Sequence, residues 1–329
     1  LQISRAIRIG GTILCIAFIL WLIDLDQLAE TLIDPNWLFV SLCVALTPLL
    51  ILMSVWRWYI LLRARSVVFP FGSLLRIYLI GCFFNQFAPS TIGGDAFRIY
   101  GTRKHALPTH LAAAAVIVDR LTGLYMVLLW VIMSLLVVAA RTGESDWLVV
   151  AGGLTLIFVI SIYLLVGSLV ERLYQIESQG IVGKVIATLA SWHTSIRQYG
   201  NHPGALVTAI LFSLIFLFLS GLNYWFAALS FQSNIDIERV FLIFPSILLL
   251  GSLPISLGGW GLNELSTAAV FDVAGFDAVL GLSAALLIRL KNLGIALIGG
   301  LLLLLSRDSA STEVCSSANK VDSSSRNLK

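Results

Sequence analysis

The chain has 329 residues, 58% of them hydrophobic and only 12% charged, with a mean hydropathy of +0.94. A soluble domain of this length cannot hide that much apolar surface, and several runs exceed the roughly 18 to 20 apolar residues that cross a bilayer. Composition therefore excludes a soluble enzyme or binding module and defines a polytopic membrane protein, while the net charge of +3 means little until the charges are placed.

The first apolar run, residues 7–23, follows Arg5 and Arg8 as a signal peptide would. It has no small-x-small cleavage site and leads into acidic sequence, so a retained helix is expected. The chain begins with Leu1 rather than Met, and its extreme start is expected to be trimmed. Further membrane helices are predicted over 37–62, 111–140, 147–170, 205–230 and 278–305. Two more apolar stretches, 73–100 and 239–275, carry Pro/Gly interruptions and are each predicted as a re-entrant hairpin of two half-helices. Residues 171–204 are more polar. Within them Ile181, Val185, Leu189, Trp192 and Ile196 recur at helical spacing, as in an interfacial amphipathic helix or one packed on its neighbours. From Ser306 onward the chain is Ser-rich and weakly hydrophobic, which predicts a disordered tail over 306–329.

The interruptions repeat one motif: Pro89-Ser90-Thr91-Ile92-Gly93-Gly94 and Pro254-Ile255-Ser256-Leu257-Gly258-Gly259. Each is followed by an acid, Asp95 at once and Glu264 further on. Inside a bilayer, broken backbone is tolerated only where protein or a water-filled cavity satisfies it. Paired breaks in corresponding halves are how transporters build binding sites. The glycine pairs permit tight turns and close backbone approach, and half-helices starting there direct free N–H groups toward an anion. Asn85, Ser90, Thr91, Ser256 and Asn263 add uncharged donors.

Charge bias orients the chain. With the N-terminus inside, Arg5, Arg8, Arg63, Arg65, Arg103, Lys104, Arg172, Lys184, Arg197 and the basic residues after 305 all fall inside. The outer loops then hold Asp24, Asp26, Glu30, Asp34, Glu144, Asp146, Asp236 and Asp272, against Arg141 and Arg239. The first hairpin then opens inward and the second outward. The segments 37–140 and 205–305 become inverted repeats within an integral membrane domain over 1–305. The expected fold is thus all-α, a polytopic membrane helix bundle with two re-entrant broken-helix hairpins in inverted repeats and both termini cytoplasmic.

Charged groups within the spans mark the site. Each costs on the order of 2.5 to 3.5 kcal/mol at the bilayer centre, so it faces a bundle interior or polar cavity and finds a partner. Asp119, Arg120, Arg289 and Lys291 lie well inside their helices. Arg120 follows Gly94 by 26 residues and Arg289 follows Gly259 by 30. Pairing is expected across the repeat interface, Arg120 with Glu264 and Arg289 with Asp95. Arg57, between Trp56 and Trp58, is expected to snorkel to the headgroups. Arg76 and Arg98 flank the first hairpin and are expected to meet an anionic headgroup.

The run Asn85 to Tyr100 with Asp119-Arg120, and the run Leu253 to Glu264, resemble the lysylphosphatidylglycerol synthase transmembrane (flippase-like) family. The resemblance covers about residues 5–305. It implies a multi-pass protein of the prokaryotic cytoplasmic (inner) membrane, akin to the half of those proteins that moves aminoacylated phosphatidylglycerol outward. Members often carry Arg before the acid matched by Glu264, where Asn263 stands here. The stretch after Leu305 is too short for an aminoacyl-transferase domain, so lysyl transfer is not expected.

The function expected is a flippase or transporter of a lipid or lipid-linked intermediate with an anionic headgroup, a phospholipid or polyprenyl-linked lipid, rather than an enzyme. The translocation residues expected are Asn85, Pro89, Ser90, Gly93, Gly94, Asp95, Arg98, Asp119, Arg120, Pro254, Ser256, Gly258, Gly259, Asn263, Glu264, Arg289 and Lys291. One alternative is a polyprenyl-lipid-dependent membrane glycosyltransferase using Asp24-Leu25-Asp26, and another is transport of a small soluble anion. No cofactor, metal or nucleic acid is expected: Cys15, Cys43, Cys82 and Cys315 show no paired spacing, and the four histidines have no ligand spacing. Homo-oligomerisation stays open.

Overall fold

The computed structural model describes residue 10 and residues 12–17, 19, 25–87, 93–103, 108–166, 193–232, 234–253 and 256–326. Pro89, Ser90 and Pro254, with most of the expected amphipathic helix, lie outside these residues. Residues 12–17 are helical. Ten labelled helices follow: α1 (Leu25–Ile33), α2 (Trp37–Ala64), α3 (Phe71–Phe87), α4 (Gly93–Arg103), α5 (Thr109–Thr142), α6 (Ser145–Val166), α7 (Pro203–Leu229), α8 (Ile237–Gly251), α9 (Leu262–Val273) and α10 (Ala278–Arg326). Single 3-10 turns occupy Gln198–Asn201 and Leu257–Gly259. There is no strand among the described residues.

Local chemistry sets the ends. The Asn36 side chain accepts from the Leu38 N–H at 3.1 Å and the Asp236 carboxylate from the Glu238 N–H at 2.9 Å, each satisfying a donor that a helix start leaves open. Pro203 occupies the first turn of α7, where no N–H is needed. Gly143 closes α5 with φ 74°, a conformation glycine adopts freely. The α10 helix runs on to Arg326, over the stretch expected to be disordered. No Gly or Pro after Gly300 interrupts it.

Among the described residues five helices are long and apolar enough to cross a membrane: Trp37–Ala64, Thr109–Thr142, Ser145–Tyr163, Pro203–Leu229 and Ala278–Leu305. At 1.5 Å per residue the 28-residue α2 reaches about 42 Å, more than the hydrocarbon core of about 30 Å. The α3/α4 and α8/α9 pairs differ. Their 17, 11, 15 and 12 residues fall short of the roughly 20 that span, and the two helices of each pair pack against each other.

These short helices are held by long ones. Along α3, Gly299 and Gly300 of α10 allow contact so close that a Cβ at Gly299 would lie 2.0 Å from the Leu79 carbonyl oxygen. On the other pair, Phe244 of α8 is fully buried and packs on Trp130 of α5 with ring centroids 5.6 Å apart. α2 packs along α7, and Asn223 donates to the Cys43 carbonyl at 2.7 Å. At one end of α2, Tyr199 donates its hydroxyl to the Leu61 carbonyl at 3.1 Å. Burial pushes that phenol's pKa up, so it remains a neutral donor.

Candidate functional site

The two breaks converge. In the second, Gly258 and Gly259 carry φ of 56° and 74°, and Gly261 carries 76°, left-handed conformations that side chains other than glycine rarely adopt. A Cβ at Gly258 would stand 2.9 Å from the Gln86 carbonyl oxygen and 3.4 Å from that of Asn85. The end of α3 therefore abuts the glycine turn of the other pair. In the first break, Asn85 accepts from the Gly94 N–H at 2.9 Å, tying the start of α4 to the end of α3. Asn263 is its counterpart, its amide set so tightly against Gly251 and Gly259 that neither position has room for a Cβ.

Each acid pairs within its own half. Arg120 donates to both Asp95 oxygens, from Nε at 3.0 and 2.8 Å and from Nη2 at 2.9 Å. Arg289 donates to Glu264 from Nε at 2.6 Å and Nη2 at 3.1 Å. The cross-repeat pairing expected from sequence is thus corrected. Counting from the glycines concealed the reason. Counted from the acids, Asp95 to Arg120 and Glu264 to Arg289 are both 25 residues, so the two halves repeat one acid–arginine clasp.

The clasps differ in what else they hold. Arg289 also donates to the carbonyls of Gly258 at 3.3 Å and Gly259 at 2.7 Å, and its guanidinium lies 4.8 Å from the Trp260 ring centroid. It is buried and bonded from all three nitrogens, and it fixes the glycine turn. The Arg120 side chain is 53% exposed and bonds only Asp95.

A third cluster corrects two more expectations. Arg57 does not snorkel. It is buried and donates from Nε to Asp119 at 2.6 Å and from Nη1 to Ser213 Oγ at 3.0 Å. Arg98 is 3% exposed rather than presented to a headgroup. It donates to the other Asp119 oxygen at 2.7 Å and lies 4.3 Å from the Trp58 ring centroid. Asp119 thereby joins α2, α4 and α5. Snorkelling fails because Gly123 leaves room beside Arg57, where a Cβ would sit 3.1 Å from Nη1, and because a buried carboxylate is the stronger partner.

All three clusters border one cavity of about 740 Å³. Its walls include Leu50 and Ile51 of α2, Leu124 of α5, Phe216 of α7 and Lys291 of α10, all near the middle of their long helices. Asp95 and Arg120 reach it from the first half, Glu264, Arg289 and Lys291 from the second. Lys291 donates to Asn223 Oδ1 and has no carboxylate partner among the described residues. Five cations, Arg57, Arg98, Arg120, Arg289 and Lys291, therefore share this region with three carboxylates, Asp95, Asp119 and Glu264. Sequence reading had missed Arg57, Asn223, Gln86 and Ser213 as members. An Asn and a Ser inside the apolar run 205–230 were the available signal.

Helices of this length, with ionisable side chains around a chamber at mid-height, define a multi-pass membrane protein. The chain belongs to the family described as the lysylphosphatidylglycerol synthase TM region, whose model matches residues 5–300. It is similar to the UPF0104 membrane protein PH1989 of Pyrococcus horikoshii, 22% identical over 326 residues and covering 92% of this chain and 96% of the relative. It is also similar to the UPF0104 membrane protein MJ1595 of Methanocaldococcus jannaschii, 24% identical over 288 residues, covering 80% and 82% respectively.

Proposed function

We propose that α3/α4 and α8/α9 are re-entrant hairpins entering from opposite faces, and that the chain carries an anionic lipid headgroup through the chamber between them. The observation that carries this reading is the excess of two positive charges around one mid-height cavity built from both halves. In a low-dielectric region an uncompensated charge is costly, so a chamber holding two favours an anion that neutralises them. The family relationship supports the lipid as cargo, because the family's name refers to a phosphatidylglycerol derivative. The distribution of Lys and Arg supports cytoplasmic termini, and the relatives from Pyrococcus horikoshii and Methanocaldococcus jannaschii support a prokaryotic cytoplasmic membrane.

The test is purified protein in liposomes carrying a fluorescent anionic phospholipid in one leaflet. Protein-dependent exchange between leaflets is expected, and it should fall at least about tenfold in Arg120→Met, which removes the exposed cation. Unchanged leaflet distribution for every anionic phospholipid and polyprenyl phosphate tried would overturn the proposal. Uptake of soluble phosphate without lipid exchange would replace the lipid with a small anion.

A further inference from the structure

The excess charge of the chamber is unevenly available. Arg57 and Arg98 share Asp119, and Arg98 also donates from Nη1 to Asp95 at 3.4 Å, while Arg289 is held by Glu264 and two carbonyls. Arg120 places Nε and Nη2 on Asp95, while its Nη1 has no partner among the described residues. Lys291 has a single partner, the Asn223 amide oxygen, which is aimed at it because the Asn223 amide nitrogen is held by Cys43. A third group borders the same cavity. Gln86 lines the cavity, and its enclosed Nε2 has no acceptor. A buried amide without a partner costs about 1 to 3 kcal/mol, so a ligand bringing an acceptor oxygen relieves it.

We propose that Arg120, Lys291 and Gln86 form a binding site for a phosphomonoester dianion carried on a lipid. The inference rests on the anionic-lipid reading above and narrows it to a headgroup class. A phosphomonoester brings about two negative charges near pH 7 and three terminal oxygens. It matches the chamber's excess of two charges, one on Lys291 and one left where Arg57 and Arg98 share Asp119, Arg120 being balanced by Asp95, and it brings an oxygen for each of the three open donor groups. A phosphodiester brings one charge and two such oxygens, and leaves one cation uncompensated. Gln86 and Arg120 come from the first half and Lys291 from the second, so the ligand bridges the repeats.

The experiment measures binding of short-chain phosphatidic acid and short-chain phosphatidylglycerol to the purified full chain in detergent. The monoester is expected to bind on the order of tenfold more tightly, the scale of one charge-assisted contact. Lys291→Met should bring the two lipids to parity, Lys291→Arg should keep the preference, and Gln86→Leu should weaken the monoester more than the diester. Inorganic phosphate should displace phosphatidic acid only at much higher concentration, and displacement at equal concentration would overturn the lipid assignment. Parity of the two lipids on the unmodified protein overturns the inference whatever the variants do. Parity in binding with leaflet exchange intact sinks the monoester site alone. A clear monoester preference without leaflet exchange sinks the transport reading alone.

Discussion

Arg289 and Arg120 occupy equivalent positions in the two halves, yet they should answer mutation differently. Arg289→Met leaves the buried Glu264 carboxylate without its cation and frees two glycine carbonyls. A loss of about 3 to 5 kcal/mol is expected, as for breaking any buried ion pair from one side. A thermal unfolding scan in detergent checks it, and the Glu264→Gln, Arg289→Met double variant should recover part of the loss. Arg120→Met removes a half-exposed side chain and leaves Asp95 with Arg98 at 3.4 Å, so its melting shift should be smaller than that of Arg289→Met while lipid exchange collapses. Equal destabilisation by the two variants would mean that both arginines are scaffold. The membrane location of these charges was legible in the sequence, since each interrupts an apolar run. Their partners were not. Arg57 is 62 residues from Asp119 and 156 from Ser213, and its flanking tryptophans imitate a headgroup belt.

At the scale of the elements, close packing of small residues decides how the broken pairs hold together. A Cβ at Gly94 would fall 2.4 Å from the Gly81 carbonyl oxygen and 2.5 Å from the Asn85 side chain, whereas one at Gly152 of α6 meets nothing within 4 Å. Gly94→Ala should therefore cost about 1 to 3 kcal/mol through overpacking. Gly152→Ala should be neutral or stabilising by up to about 1 kcal/mol, because alanine favours helix. Melting midpoints of the two variants, compared side by side, give the answer, and indistinguishable values would refute the tight α3–α4 contact. The sequence located these elements closely: runs expected over 37–62, 111–140 and 205–230 appear as Trp37–Ala64, Thr109–Thr142 and Pro203–Leu229. A strong apolar signal bounded by caps leaves little freedom. The 25-residue clasp escaped because the second break lengthens the path from glycine to acid, from Gly94-Asp95 to Gly259…Glu264.

For the whole molecule, the proposed opposition of the two hairpins makes a directional prediction. Cysteines introduced singly at Val68 and His110, on a background without native cysteines, should react with a membrane-impermeant thiol reagent from one side. Those at Gln232 and Val273 should react from the other. All four positions are exposed. If Val68→Cys and His110→Cys label from opposite sides, α3 and α4 together cross the membrane and the inverted arrangement is wrong. The chamber itself was only partly legible from sequence. The breaks announced it, but its volume and charge balance depend on side chains converging from α2, α5, α7 and α10. The meeting of Gly258 with the Gln86 carbonyl has an electrical consequence. Were the two proposed hairpins to admit water from opposite faces, the insulating layer at that junction would be thinner than the full hydrocarbon thickness. The membrane voltage would then drop across this thinner layer, at about 2.3 kcal/mol per elementary charge for each 100 mV. A cargo bearing two negative charges would feel that drop twice over, so the resting potential itself would set which way it travels most easily.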